Sequence, residues 1–450
     1  MSDEKAPGQD KAAAESVVEA GQAPATQLPP AQASPGQPPS AHQEPESRWT
    51  GALRDIASGS AVMSVLAVVL AMVVGAVLIA LTDENVQSAS GYFFARPMDT
   101  ISAIWTAVSG AYISLFQGSV YNFNRPDFVD GIRPLTETLS FATPLVAAGL
   151  GVALGFRAGL FNIGGRGQML FGAAAAGWVG FSFDLPPGIH LVLALAAGII
   201  AGAIWGGIAG LLKARTGAHE VIVTIMLHYI AFYLISYMLR TPGLLQAPGS
   251  NNPKSPAMHT NAVFPKLLGP QYNLTIGFLL VIVATIVVWW ILNRSSLGFQ
   301  FRAVGENPSA ARVAGINVKN VYIVSLLLSG ALVGMAGANQ VQSVITTGFT
   351  SGIDAGIGFD AITVALLGRS RPWGTFWAAI LFGAFKAGGF TMQAVESIPI
   401  DIVLVLQSLI VLFIAAPPLV RAVFRLPKPR EIPRLRTPSN AAKKTKVVTK

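Results

Sequence analysis

A chain that is 52% hydrophobic and 12% charged has few side chains able to do chemistry, and they collect where apolar sequence breaks off. The first break is FRAGLFNIGGRGQMLFGA, residues 156–173. It begins and ends like an apolar helix and holds Asn162, Arg166 and Gln168 among glycines. The second is TTGFTSGIDAGIGFDAITVALLG, residues 346–368, with Asp354, Asp360 and Thr363. Asn339 and Gln340 stand just ahead of it, and Lys386 interrupts a later apolar run in GAFKAGG. Inside an apolar chain such groups either bind helix to helix or line a path for a polar solute. Bond-making chemistry needs more than this. No Ser/His/Asp set, metal-ligand spacing or carboxylate pair stands out, and His228 is a lone histidine on an apolar helix, suited to packing. The absence of cysteine removes disulfides and thiolate chemistry. No Gly-Lys pair occurs, so the chain has no phosphate-binding loop of its own. The reading is therefore not an enzyme, with no cofactor bound by this chain.

Blocks of about 20 apolar residues must position these groups, each long enough to cross a bilayer as a helix. Ten candidate spans follow: about 60–81, 134–155, 168–183, 190–212, 220–240, 273–292, 321–341, 358–369, 373–392 and 400–418. Two of them, 168–183 and 358–369, are short for a full crossing. The segment 101–117 reads as a helix at the outer surface. The fold class is thus an all-α polytopic membrane protein, since a β-barrel would alternate apolar and polar residues. Residues 55–420 form the transmembrane domain. Residues 1–50 carry eight prolines and no apolar run, and read as a disordered cytoplasmic tail. Residues 421–450 read as a basic cytoplasmic tail.

Charge orients the spans. With both termini cytoplasmic, the inner loops hold Arg157 and Arg166, then Lys213 and Arg215, then Arg294, Arg302, Arg312 and Lys319, then Arg369 and Arg371. Outer loops hold Asp83, Glu84, Asp99, Asp127, Asp130, Asp354 and Glu396 among a few basic residues. That asymmetry is the positive-inside pattern, and it accounts for the net charge of +9 without a nucleic-acid partner. Gly198, Gly202, Gly206 and Gly210 recur every fourth residue, a smooth stripe for close helix packing. The two breaks occupy matching places in halves of opposite orientation, and inverted repeats with broken helices point to a transport path. The plainer alternative is two glycine-rich loops. Between spans, ENPSAARVAG at 306–315 encodes a short capped helix: Asn307 caps, Pro308 suits the first position, and Gly315 fits the exit.

GLFNIGGRGQMLFGA, HEVIVTIMLHYIA at 219–231, FRAVGENPSAARVAGINV at 301–318 and GFDAITVALLGRSRPWG at 358–374 resemble the permease subunits of bacterial ATP-binding-cassette importers. The branch is that of simple-sugar and branched-chain amino-acid permeases, and the motifs read most like those of nucleoside permeases. The resemblance implies that residues 301–318 form a coupling loop fitting a groove on an ATPase subunit. Gly305, Asn307, Pro308, Ala310, Ala311, Arg312 and Gly315 are its expected contacts. Taken as a set, Asn162, Arg166, Gln168, Asn339, Gln340, Asp360, Thr363 and Lys386 are read as lining the path, where amides and hydroxyls can bond a ribose or base; bonding helix to helix is the alternative for each. The resemblance also implies partners: cassette ATPases that hydrolyse ATP, a second permease copy or related permease, and an extracytoplasmic substrate-binding protein. The location implied is the bacterial inner membrane. The family's usual Ala-Glu is here Gly165-Arg166, reversing a charge. Simple sugars and branched-chain amino acids remain alternative substrates. An ion-driven secondary transporter is the alternative mechanism, and few carboxylates in the spans count against it.

Overall fold

Only a helix satisfies every backbone group within an apolar run that has no water beside it, and the fold follows from that. The computed structural model describes residues 60–425. The expected tail at 1–50, and the expected tail from 421 beyond Arg425, lie outside the described residues. The helices are α1 (Ser60–Thr82), α2 (Glu84–Ser90), α3 (Pro97–Ser119), α4 (Phe128–Gly131), α5 (Arg133–Arg157), α6 (Gly165–Ser182), α7 (Ile189–Thr216) and α8 (Glu220–Met238). They continue with α9 (Gly277–Arg294), α10 (Ser296–Glu306), α11 (Pro308–Val313), α12 (Val318–Asn339), α13 (Ile357–Leu367), α14 (Pro372–Glu396), α15 (Ile400–Ala415) and α16 (Pro417–Val423). The described residues contain no strand.

Among the described residues, seven stretches are long and apolar enough to cross a bilayer: α1, α4–α5, α7, α8, α9, α12 with its extension, and α14. The bent pair α15–α16 makes an eighth if taken as one crossing. The two remaining members of the expected ten are α6 and α13, the helices that follow the breaks. Eleven residues in α13 rise only about 16 Å, half the hydrocarbon thickness. α6 dilutes its 18 residues with Arg166, Gln168 and five glycines.

α5 is the central helix. Every residue from Ala142 to Gly155 is buried, because α9, α12, α13 and α14 surround it. Beside it, α7 and α12 lie backbone to backbone along the expected glycine stripe. A Cβ on Gly206 would stand 3.0 Å from the Cα of Gly330, and one on Gly202 would strike the Gly330 carbonyl. Larger side chains would hold the helices apart and weaken the dispersion contacts on which lipid-phase packing depends. Residues 101–117, read from sequence as a surface helix, lie within α3, which is joined to the bundle. Ser114 donates to Glu396 of α14 at 2.9 Å, Thr138 of α5 donates to the Ser119 carbonyl at 2.6 Å, and Tyr112 donates to the Met72 carbonyl of α1.

One end of the bundle gathers basic residues. Arg157 donates to the Ser370 carbonyl at 2.9 Å, Arg302 reaches the Leu292 carbonyl, and Lys213 pairs with Glu220 at 2.5 Å. Glu220 opens α8 after His219 at the capping position, and its carboxylate turns to Lys213. The opposite end is closed by the connection between α8 and α9. There Met258 donates its amide to Thr346, and Ser255 and Phe349 exchange backbone and side-chain bonds of 3.0 and 2.9 Å.

Candidate functional site: the seam between two broken helices

The chain leaves α5 at the basic end, unwinds through Ala158–Gly164, and becomes helical again at Gly165. The turn is made by Gly159 at φ +70°, and Asn162 fixes the rest. The Asn162 side chain is fully buried and fully bonded. Its oxygen accepts from the Gly164 amide at 3.0 Å, its amide donates to Ser329 of α12 at 3.0 Å, and it exchanges bonds with Gln168 at 3.1 and 3.3 Å. Thr224 of α8 accepts from the Ile163 amide at 3.3 Å. An unwound segment buried at this depth must have its polar groups met by protein, and Asn162, Gln168, Ser329 and Thr224 meet them.

The second break enters from the other end. α12 closes in a π-helical turn, Gln340–Val344, and the chain then descends without helix to Gly356. Gln340 donates to the Ile353 carbonyl at 3.2 Å, and Gln342 donates to Leu191 and Ala262, both at 3.0 Å. At the foot of the descent the two breaks meet. Arg166 Nε donates to Asp354 Oδ1 at 2.8 Å. The Arg166 side chain is 27% exposed and that of Asp354 4%. Phe232 of α8 faces the guanidinium at 4.8 Å. Backbone packs here too: a Cβ on Gly165 would lie 3.0 Å from the Gly358 carbonyl.

This corrects the loop assignment of both charges. Arg166 was expected in an inner loop and Asp354 in an outer one. Gly358, beside Arg166, stands ten residues before Gly368, a rise of about 15 Å along α13. Unwinding carries each charge inward, and each supplies the counter-charge the other needs away from water. Asp354 is the central residue that sequence reading missed as a site. A signal was available: one acid in one glycine-rich break and one base in the other.

The remaining expected path residues divide. Lys386 donates to the Ala355 carbonyl at 3.1 Å, next to the ion pair. Lys386 and Asp360 line a cavity of about 300 Å³ with Leu145, Gly356, Phe382 and Gln407. Asn339 is buried and Thr363 half-buried; among the described residues neither takes part in the seam's hydrogen bonds. His228 packs edge-on against Tyr229 and Phe359, with ring centroids 4.9 and 5.8 Å away, as its packing role implies.

At the basic end, α11 has the local form its sequence encodes. Asn307 accepts from the amides of Ser309 and Ala310, both at 3.0 Å, Pro308 opens the helix, and Gly315 leaves it at φ +84°. Only Ala311 is buried on it; Ala310 and Arg312 are exposed and Val313 is 91% exposed. Gly305, at the end of α10, presses on the first break: its Cβ would strike the Arg157 carbonyl and lie 3.1 Å from the Gly159 amide. The short capped helix thus stands one contact from the chain that leads to Arg166.

Nothing here activates a nucleophile. Two half-unwound helices enter from opposite ends, meet at one ion pair, and are bordered by amides and aromatic rings. That arrangement defines a helical membrane permease. The chain belongs to the branched-chain amino acid transport system permease component family, whose pattern matches residues 135–415. It is 35% identical over 362 residues to a guanosine ABC transporter permease of Bacillus subtilis, covering 80% of this chain and 94% of the relative. It is 34% identical over 308 residues to a nucleoside ABC transporter permease of Lactococcus lactis, covering 67% and 83%. It is 35% identical over 289 residues to a glucose ABC transporter permease of Haloferax volcanii, covering 62% and 75%. No solved structure matches the chain. The protein is the permease subunit of an ABC transporter, a multi-pass inner-membrane protein of a kind that works with ATPase subunits and a substrate-binding protein. Membership in this family sets aside the ion-driven alternative.

Proposed function

We propose that this permease imports nucleosides along the seam between the two broken helices. The resemblance to the Bacillus subtilis guanosine permease over 94% of that protein's length carries the substrate class. A planar guanidinium beside an aromatic ring suits a ribose and base: Arg166 with Phe232 offers a stacking face, and Asn162, Gln168 and Gln340, bonded within the protein, hold the wall behind it. Asn339, Asp360, Thr363 and Lys386 border the route. The basic end faces the cytoplasm. There Gly305, Asn307, Pro308, Ala310, Ala311, Arg312 and Gly315 form the contact with a cassette ATPase, and that ATPase hydrolyses the nucleotide while this chain binds no cofactor. Two permease copies, or this chain and a related one, complete the path. A separate extracytoplasmic protein delivers the solute.

A second reading, sugar import, rests on the glucose permease relative of equal identity. Uptake of labelled guanosine by cells expressing the permease with its ATPase separates the two. Competition by unlabelled nucleosides and not by glucose or leucine is the expected result. Competition by glucose alone would replace nucleosides with sugars as the substrate.

A further inference from the structure

A cavity at the basic end lies apart from the seam. It measures about 640 Å³ and is lined by Arg157, Arg302 and Arg371 together with Trp289, Asn293 and Trp373. It sits where the ends of α5 and α9 meet α10 and the start of α14. Three guanidiniums share it, and no carboxylate lines it. Arg157 feels the charge of both Arg371 and Arg302. Arg157 is anchored by the Ser370 carbonyl, which fixes its plane at the wall of the cavity. Holding three cations together costs Coulomb energy that a structural role does not require. An anion placed between them would remove that cost, and guanidinium forks match a phosphate's oxygens in pairs.

The aromatic rings say where the anion comes from. Trp289 is 38% exposed and Trp373 41% exposed, and Trp290 beside them is 56% exposed. Indoles at the end of a crossing helix sit at headgroup depth. A cavity with arginine walls and an indole mouth at that depth opens toward the headgroup layer of the bilayer, where basic pockets between helices take anionic lipid heads. We propose that this cavity binds the phosphate group of an anionic phospholipid.

The test uses the whole permease purified in detergent, with R371Q as the first variant, because Arg371 is the exposed member of the three. R302Q/R371Q is the second. Native mass spectrometry counts retained phosphatidylglycerol, and thermal melting is read with added phosphatidylglycerol, phosphatidylcholine or inorganic phosphate. Expected are retained phosphatidylglycerol on the wild type, roughly tenfold weaker retention on R371Q, and further loss on the double variant. R371K keeps the charge without the fork and should fall between. Melting without added lipid checks that the variants are folded, and R371Q alone suffices should the double variant fail that check. Equal stabilisation by phosphatidylcholine would overturn the proposal. So would equal stabilisation by inorganic phosphate, which would assign the site to a soluble anion. Unchanged lipid retention with lost ATPase association would assign the arginines to a protein contact instead.

Discussion

The ion pair joining the two breaks makes an asymmetric prediction. At about 4 Å between charge centres and an effective dielectric near 20, Arg166 and Asp354 attract by about 4 kcal/mol. Desolvation of the carboxylate offsets much of that, so the intact pair adds little net stability. Loss of one partner is another matter, and the two partners differ. Asp354 is 4% exposed and its second oxygen accepts only a 3.3 Å bond from the Gly356 amide. Arg166→Gln strands this carboxylate and should destabilise by about 3 kcal/mol, the low end for a broken buried pair because Arg166 itself has some access to water. Asp354→Asn leaves a guanidinium that is 27% exposed and still faces Phe232. Its cost should be about 1 kcal/mol. The double variant holds two neutral amides and should lie near Asp354→Asn, not at the sum of about 4 kcal/mol. Melting of the four purified proteins under one detergent condition gives the cycle. Additive single effects, or a larger loss for Asp354→Asn than for Arg166→Gln, would refute the reasoning.

Other expectations follow from the basic end. Gly305→Val should separate α10 from Gly159 and disturb the ATPase contact, so that transport falls several-fold together with co-purification of the ATPase; unchanged transport would show that α10 does not couple to the first break. Asn307→Ala removes two cap bonds and should weaken α11 by about 1 kcal/mol, read as reduced co-purification of the ATPase and partly rescued by Asn307→Asp. Equal co-purification would show that α11 does not contact the ATPase.

Much of the fold was readable because lipid-phase constraints are blunt. An apolar run has one way to satisfy its backbone, so the starts and ends of α1, α5, α7, α8 and α12 fall within a few residues of the apolar blocks. The cap at Asn307 was readable because it is local: donor, acceptor and turn lie within four residues. What escaped was depth. Arg166 and Asp354 are 188 positions apart, and a linear tally of charge assigns each to the nearest loop. Hydropathy does not register that unwound chain can carry a charge inward once a partner is waiting there. Lys386 met the same limit: the sequence marked it as out of place, and only the fold brings it to the Ala355 carbonyl.

Those two charges are best understood as one unit. A glutamate at 166 facing Asp354 would oppose two carboxylates in a site with little water, where like charges raise the energy by several kcal/mol. An arginine at 166 therefore suits Asp354, each supplying the other's counter-charge. Gly165 belongs to the same unit, since a side chain there would crowd the Gly358 carbonyl and push the second break away from Arg166. From this junction a continuous line of contacts runs to the basic end: Arg166 to Asn162 through the first turn of α6 and the Gln168 amide, Asn162 to Gly159 within the unwound residues 158–164, and Gly159 to Gly305 at the end of α10. Unwound backbone can change its dihedrals at low cost, whereas the helices on either side cannot. A push on α11 would thus reach residues 158–164 first and the Arg166–Asp354 bond next.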